Sequence, residues 1–469
     1  MADGLSGDWW VRFVFERALA LIYLIAFINA VNEYIPLVGQ HGLLPAADFI
    51  RDVPFAQAPS LFYLSSSDVA LRAASWVGVG LSCLALSGLP MRFGSVVSAV
   101  VWGGLWLLYL SLVNVGQTFY GFGWETLLLE AGFLAMFLGG SAATPHVAVG
   151  WLYRWVLFRL MFGAGLIKLR GDPCWRHLTC LNQYFETQPI PNPLSWFFHW
   201  LPEGFHTAGV VVNHVVEVGT PFLFFLPQPI AGIAGLITIG FQSTLIVSGN
   251  LSWLNWLTIV LCIPTLDPRW FAWLPAAPLA EPQAVHRVAT YVVVGLVVLL
   301  SVNPVLNLFS SSQMMNASFE PLHLVNTYGA FGSITRDRDE IIIEGTTDDV
   351  ITDQTAWRAY EFKGKPGDPM RRPIQIAPYH LRLDWLMWFA AMSSPDAHPW
   401  FPVLLSRLLE GDRPTLALLA GNPFPDRPPK FVRAQLYRYH FTTPEEHRRT
   451  GAWWTRELRG TYFPIVRLR

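Results

Sequence analysis

Long apolar runs without charged residues dominate the first two thirds of the chain. Residues 93–124, 218–266 and 288–319 contain no Asp, Glu, Lys or Arg. Each run is long enough for one or two helices of about 20 residues, the length that crosses a hydrocarbon core of about 30 Å. We therefore predict about nine membrane spans. Their approximate bounds are 10–32, 69–89, 95–116, 124–140, 150–168, 206–226, 229–248, 251–266 and 289–309.

The pattern changes after residue 312, where short segments alternate or follow helical spacing. The predicted strands are 341–346, 357–363 and 431–442, and the predicted short helices are 380–392, 399–410 and 414–420. The sequence thus predicts a polytopic α-helical membrane bundle, residues 1–312, followed by a C-terminal α+β soluble domain, residues 313–469. Two loops of the bundle, 33–68 and 169–205, are apolar enough to lie at the membrane interface. A bundle of this kind should remain stable when the soluble domain is deleted.

Composition and charge support this division. The 469 residues are 52% hydrophobic and 14% charged, against about 25% charged in an average soluble protein. Residues 1–312 hold 12 basic and 15 acidic residues, so the other 38 charges fall in the last 157 residues. The 32 basic and 33 acidic residues nearly cancel, and no nucleic-acid-binding motif is present. A nucleic acid is therefore not an expected partner.

The basic residues of short connections predict the orientation. Arg12 and Arg17 in the first predicted span, Arg92 in one connection, and Arg269 and Arg287 in another all belong on the cytoplasmic side. Nine spans then place both the second interfacial loop and the soluble domain outside the cytoplasm.

Four cysteines carry limited information about redox chemistry. Cys174 and Cys180 flank a short segment of the second interfacial loop, where an oxidising compartment permits a disulfide. Closing this loop would stabilise the fold by roughly 2 kcal/mol. Two free thiols, or metal ligation and redox catalysis, are the alternatives. Cys83 and Cys262 lie inside predicted spans and act as small apolar residues.

Ionisable residues inside the predicted spans are the first candidates for a functional site, because each is costly in lipid unless it is paired or hydrated. The polar network they predict consists of Glu125, Glu130, Arg154, Arg159 and Glu217, with Asn213 and His214 on the same helix face as Glu217. One interpretation is that Glu–Arg pairs join spans four, five and six. The other is a pocket for a substrate or cofactor. No nucleotide-binding loop, zinc-protease, nucleophile-elbow or CxxC motif occurs, so the sequence predicts no cofactor and no metal.

Several blocks of sequence resemble the lipase maturation factor family. They are GFGWETLLLEAGFLAMF (121–137), RWVLFRLMFGAGLIKLRGDPCWRHLTCLNQYFETQPIPNPLSW (154–196), NHVVEVGTPFLFF (213–225), NTYGAFGSITRDRDEIIIEGT (326–346) and TGAWWTRELRGTYFP (450–464). The resemblance implies a membrane protein whose extracytoplasmic parts act as a chaperone for secreted lipases, without a catalytic cycle of its own. Its expected partners are the lipid bilayer and a secreted lipase or other secreted client.

The resemblance also bears on location, since the animal members of that family reside in the endoplasmic reticulum. Only four of the 32 basic residues here are lysines, a bias common in GC-rich bacterial genomes. We therefore expect a bacterial cytoplasmic (inner) membrane with the C-terminal domain extracytoplasmic, or the endoplasmic reticulum membrane if the host is eukaryotic.

A shorter block is similar to a second family. Residues 162–168, FGAGLIK, followed by Trp175, resemble the segment of vitamin K-dependent gamma-carboxylases in which a catalytic lysine follows an Ala-Gly pair. By this likeness Lys168 would be a general base in a dry pocket of a membrane enzyme. The alternative is a lysine that anchors the end of a span. An enclosed pocket reaching Lys168 would favour the enzyme.

The soluble domain has more aromatic residues than one small core plainly needs. The candidates for exposed, client-binding side chains are Trp385, Trp388, Phe389, Trp400 and Phe401. Contact with the membrane surface would explain them equally simply.

Overall fold

The computed structural model describes residues 2–140, 143–275 and 283–468 and is mostly helical. In the described part of the first 312 residues the α-helices are α1 Ala2–Val38, α2 Ala46–Asp52, α3 Asp68–Ser87, α4 Leu89–Arg92, α5 Ser95–Val115, α6 Gly123–Ala135, α7 Val147–Arg170, α8 Pro173–Arg176, α9 Leu181–Thr187, α10 Ser195–His199, α11 Glu203–His214, α12 Thr220–Leu223, α13 Ile230–Ser248, α14 Leu254–Cys262, α15 Ala284–Leu300 and α16 Val302–Phe309. A π-helical segment, Val215–Gly219, joins α11 to α12. Short 3-10 helices lie at Leu61–Tyr63, Gln117–Tyr120, Ile263–Thr265 and Pro268–Phe271.

Five of the described helices are long and apolar enough to cross a membrane. They are α3, α5, α7, α13 and the nearly continuous pair α15 and α16. The predicted count of about nine is not confirmed. Helices α6 and α14, which lie in two of the predicted spans, have 13 and nine residues. Their lengths of about 20 and 14 Å are too short to cross a hydrocarbon core of about 30 Å.

The C-terminal part folds around a small sheet. Its described elements are β1 Arg338–Thr346, β2 Arg358–Ala359, α17 Arg382–Ala391, a 3-10 turn Pro395–Ala397, α18 Trp400–Glu410, α19 Arg413–Leu416, β3 Phe431–Phe441, α20 Pro444–Thr450 and β4 Trp454–Val466. The strands are antiparallel in the order β2-β1-β3-β4. Strand β4 is missing from the sequence prediction. Its side chains are mostly exposed and its pairing with β3 is irregular, so no clean alternation marks it.

The soluble domain and the 171–202 loop lie against each other at one end of the bundle. The guanidinium of Arg338, on β1, donates to the carbonyl oxygens of Glu186 (2.8 Å) and Pro189 (3.0 Å). The indole of Trp196 donates to the carbonyl of Thr442 (2.8 Å) and is buried among side chains of the sheet. This aromatic segment was expected to lie along the membrane surface. Trp196 is buried against the sheet, whereas Phe197 and Trp200 are 47% and 40% exposed, so the interfacial position of the segment stays a prediction.

Candidate functional site

Two glycines on α7 allow neighbouring segments to approach this helix closely. A Cβ atom at Gly163 would collide with the carbonyl oxygen of Tyr328. One at Gly165 would lie 2.6 Å from the side chain of Val218 and 3.1 Å from the backbone carbon of Glu217. Because Lys168 follows Gly165 by three residues, it lies on the same face of α7 and meets Glu217.

Lys168 and Glu217 form a buried ion pair. The ammonium Nζ is 2.6 Å from each carboxylate oxygen, and both side chains are almost fully buried. The same ammonium lies 5.1 Å from the centre of the Trp175 ring, within the range of a cation–π interaction. Lys168 therefore does not reach water as an anchor would.

Glu217 lies within the π-helical segment. Such segments are rare and occur often at functional sites, because the extra residue in the turn displaces side chains from their α-helical positions. Here the carboxylate of Glu217 and the amide of Asn213 line one wall of a cavity.

The cavity is large, partly open and mostly apolar. Its volume is about 1320 Å³, above the roughly 300–1,000 Å³ of ordinary small-molecule pockets. Its walls come from α7, α11, the ends of α13 and α14, the 171–202 loop and α17. The polar side chains Lys168, Glu217 and Asn213 meet on one side of it. The sequence left a pocket at the polar network or at Lys168 open as an alternative, but it could not give the walls, because they come from segments far apart in the chain.

Asn213 and His214 differ in their surroundings. Asn213 is 6% exposed, and its amide nitrogen has no hydrogen-bond partner among the described residues. The Nε2 atom of His214 is 3.0 Å from the carbonyl oxygen of Trp175. His214 therefore holds the 171–202 loop, whereas the amide nitrogen of Asn213 is buried without a described partner.

Glu130 and Arg159 form a second buried pair, between α6 and α7. The backbone carbonyl of Asn326 accepts from Arg159, and the Tyr328 hydroxyl donates to Glu130 at 2.6 Å. The segment that connects the bundle to the sheet domain thus enters the interior of the bundle. Asn326 and Tyr328 were not predicted as part of this network, although they lie in one of the resemblance blocks.

Glu125 has its partner in the soluble domain, which corrects the prediction of Glu–Arg pairs within the bundle alone. A nitrogen of Arg382 is 2.7 Å from a carboxylate oxygen of Glu125, and both side chains are completely buried. The hydroxyl of Tyr109 donates to the other oxygen. Arg382 also donates to Asn29 at 2.8 Å. The bundle and the soluble domain therefore share one buried polar junction.

The prediction of Glu–Arg pairs is also wrong for Arg154, because its described partners include no carboxylate. Its guanidinium donates to the carbonyl oxygens of Phe224 (3.1 Å) and Pro264 (3.4 Å). These carbonyls end short helical segments, where a cation is favourable. Arg154 thus donates hydrogen bonds to carbonyl groups at helix ends and does not pair with Glu217.

The aromatic residues proposed for client binding separate into two groups. Trp385, Trp400 and Phe401 are 4%, 1% and 0% exposed, so the expectation that they form an exposed surface is wrong. They fill the space between α17, α18 and the neighbouring sheet and bundle. Trp388 is half-buried and donates to the carbonyl of Thr187, and Phe389 is 39% exposed. Both line the cavity.

The pKa values of two histidines are shifted where the soluble domain contacts the rest of the protein. Burial, together with the charge of Arg382, lowers the pKa of His380 to about 4. His380 is therefore neutral near pH 7. The pKa of His440 is raised by its hydrogen bond to Glu186, whose second oxygen accepts from the backbone of Phe441 at 2.7 Å. Glu186 thus fastens the 171–202 loop to β3.

The cysteines of the loop form the predicted disulfide. Cys174 and Cys180 are joined with a Cα–Cα distance of 4.8 Å, and both are buried in a small apolar cluster with Trp175, Tyr184 and Phe185. Cys83 and Cys262 are free. In the described ranges no group of three or more His, Cys, Asp or Glu residues could hold a metal ion.

Replacing Cys174 and Cys180 together with alanine should lower the free energy of unfolding by about 2 kcal/mol, the chain-entropy value for so short a loop. The thermal midpoint of the purified protein in mild detergent measures this loss. Cys83→Ala is the control and should leave the midpoint unchanged. Equal midpoints for all three proteins, or free thiols at both positions on non-reducing peptide mapping, would contradict the disulfide.

Comparison with known proteins gives matches over nearly the whole chain. The family model for the lipase maturation factor transmembrane domain matches residues 10–273, and that for the lipase maturation factor C-terminal domain matches residues 324–464. Lipase maturation factor 1 from Bos taurus is 43% identical over 98% of this chain and 89% of its own length. The Homo sapiens protein of the same name is 42% identical over 99% and 89%. Lipase maturation factor 2 from Gallus gallus is 30% identical over 97% and 81%. No solved structure matches.

Proposed function

This chain belongs to the lipase maturation factor family, and from that premise we propose that it is a membrane-bound folding factor for secreted lipases. It is an integral membrane protein by its family and its apolar helices. The observation that carries the proposal is the contact between the soluble domain and the disulfide-bonded 171–202 loop. Hydrogen bonds of Arg338, Glu186 and Trp196 join the two parts at one end of the bundle. A folding factor needs such a fixed surface outside the membrane.

The client contact is proposed at apolar side chains that remain exposed on this face. Phe197 and Trp200 of the loop are 47% and 40% exposed. Phe389 and Met392 of the soluble domain are 39% and 45% exposed. Unfolded or partly folded chains expose apolar segments, and exposed apolar groups on a soluble domain commonly mark the surface that binds them.

The face is proposed to lie on the extracytoplasmic side. A disulfide persists in an oxidising compartment, and the loop that carries it is in contact with the soluble domain. In a eukaryotic host the membrane would be that of the endoplasmic reticulum. The relatives described above are vertebrate proteins, so they give no support to the expectation of a bacterial inner membrane.

The carboxylase-like interpretation of Lys168 is not adopted. The cavity that it requires is present, but both oxygens of Glu217 engage the ammonium, so the residue is a paired cation instead of a free amine base. The family models match lipase maturation factor domains in both halves of the chain.

The test is the yield of active secreted lipase in cells that lack the protein and are complemented with variants. Trp200→Ser combined with Phe389→Ser should lower secreted lipase activity several-fold at an unchanged transcript level, because the client loses its apolar contacts. Leu458→Ser is the matched control, since Leu458 is 55% exposed on β4. Variant and control should accumulate to equal amounts. Unchanged activity of every candidate lipase of the host after a full knockout would refute the function.

A further inference from the structure

The cavity beside Lys168 contains a buried polar group that the described part of the chain leaves unsatisfied. Asn213 is one of the residues that line the cavity, it is 6% exposed, and its amide nitrogen is buried without a described partner. Most buried donors in native proteins are hydrogen-bonded, and each exception calls for an explanation. The arrangement is explained if a ligand supplies an acceptor oxygen there.

The neighbouring ion pair restricts the chemistry of that ligand. Lys168 and Glu217 compensate each other at 2.6 Å, so the polar side of the cavity has no uncompensated charge from this pair. Asn213 adds a neutral donor next to it. A carboxyl or ester oxygen suits this donor, and the ammonium of Lys168 is adjacent.

The rest of the lining suits a long hydrocarbon chain. Lining residues of α7 extend from Leu160 to Lys168, about 12 Å along the helix axis at 1.5 Å per residue. Apolar cavities stay dry unless polar groups hold water. An extended peptide would bring an N–H and a C=O per residue into a space with few partners for them. An acyl chain brings no such groups.

One side of the cavity lies between helices α11 and α13. Helices α12 and α13 pack closely near the turn that joins them, whereas contacts between α11 and α13 are few. Exposed side chains of both α11 and α13 line the cavity. They are Phe205, Ala208 and Val212 of α11 and Val247 of α13. Because α13 is one of the candidate membrane spans, an opening between these helices would face lipid.

We propose that the cavity binds one fatty-acyl lipid, which enters from the membrane between α11 and α13. Its carboxyl or ester oxygen accepts a hydrogen bond from Asn213 beside the Lys168–Glu217 pair. Its chain lies along Leu160, Met161 and Leu254. This binding site goes beyond the role in lipase maturation and is tested without a lipase.

The test uses the purified full chain in lipid nanodiscs with three photoreactive, alkyne-tagged probes: oleic acid, dioleoylglycerol and dioleoylphosphatidylcholine. We expect labelled peptides from residues 160–171 and 241–258. Competition by the untagged lipid should remove this labelling. The probe that labels identifies the source of the acyl chain, either a free acid or an ester lipid.

Two variants and one control variant make the test specific. Ala208→Trp narrows the opening and should lower labelling on the order of tenfold, whereas Val211→Trp, an exposed position of α11 outside the lining, should not. Asn213→Leu keeps the side-chain volume but removes the donor, so it should lower labelling about fivefold, the effect of one hydrogen bond. Labelling by none of the probes, labelling confined to the outer helix surfaces, or equal labelling of wild type and Asn213→Leu would overturn the proposal.

Discussion

Arg382→Leu is expected to lower the free energy of unfolding by about 3–5 kcal/mol, the usual cost of removing one partner of a buried ion pair. Arg382 lies over the Tyr120 ring at 3.4 Å and donates to Glu125, Asn29 and the carbonyl of Phe119. Its loss leaves Glu125 charged and buried where the two parts of the molecule meet. The thermal midpoint and the fraction of monodisperse protein in mild detergent measure the effect.

Two further proteins make this prediction specific. Arg459→Leu, at an exposed position of β4, should leave the midpoint nearly unchanged. Combining Arg382→Leu with Glu125→Gln should recover part of the loss, because the stranded charge is removed. If Arg382→Leu is as mild as Arg459→Leu, the buried junction does not hold the two parts together.

The second large effect is expected at Arg159. Arg159→Leu strands Glu130 inside the bundle and should also cost about 3–5 kcal/mol. The Tyr328 hydroxyl and the Asn326 amide still donate to Glu130, but neither supplies a positive charge. The yield of folded protein extracted from the membrane should fall accordingly.

Arg154→Leu is the matched control on the same helix. Its partners are backbone carbonyls, so the change strands no carboxylate and should cost about 1–3 kcal/mol. Pairing Arg159→Leu with Glu130→Gln should restore part of the yield. Equal losses for Arg154→Leu and Arg159→Leu would show that the Glu130 charge is not the cause.

The sequence predicts helices well where the chain lacks charge. Helices α5 and α13 begin and end within a few residues of the predicted 95–116 and 229–248. The first helix, Ala2–Val38, extends beyond the predicted 10–32, and polar residues along it have partners inside the protein. Arg12 donates to the carbonyl of Gly140, and Glu33 accepts from Asn29. Partners of this kind are not visible in local hydropathy.

The site was predictable in residue type more than in pairing. The loop disulfide follows from local spacing and is confirmed. The pairing of Glu125 with Arg382 joins residues 257 positions apart, and no periodicity connects helix α6 of the bundle with the start of α17 in the soluble domain. The burial of Trp400 and Phe401 could not be predicted either. The number of aromatic residues in a segment does not show whether they lie on a surface or in a core shared with the bundle.

The connection through Asn326, Tyr328 and Arg382 imposes an order on biosynthesis. Glu125 leaves the ribosome 257 residues before Arg382, an interval of tens of seconds at about 5–20 residues per second. During that time the bundle is inserted with this carboxylate lacking its final partner. A factor proposed to assist the folding of other proteins therefore completes its own membrane interior only when its last third has been translated.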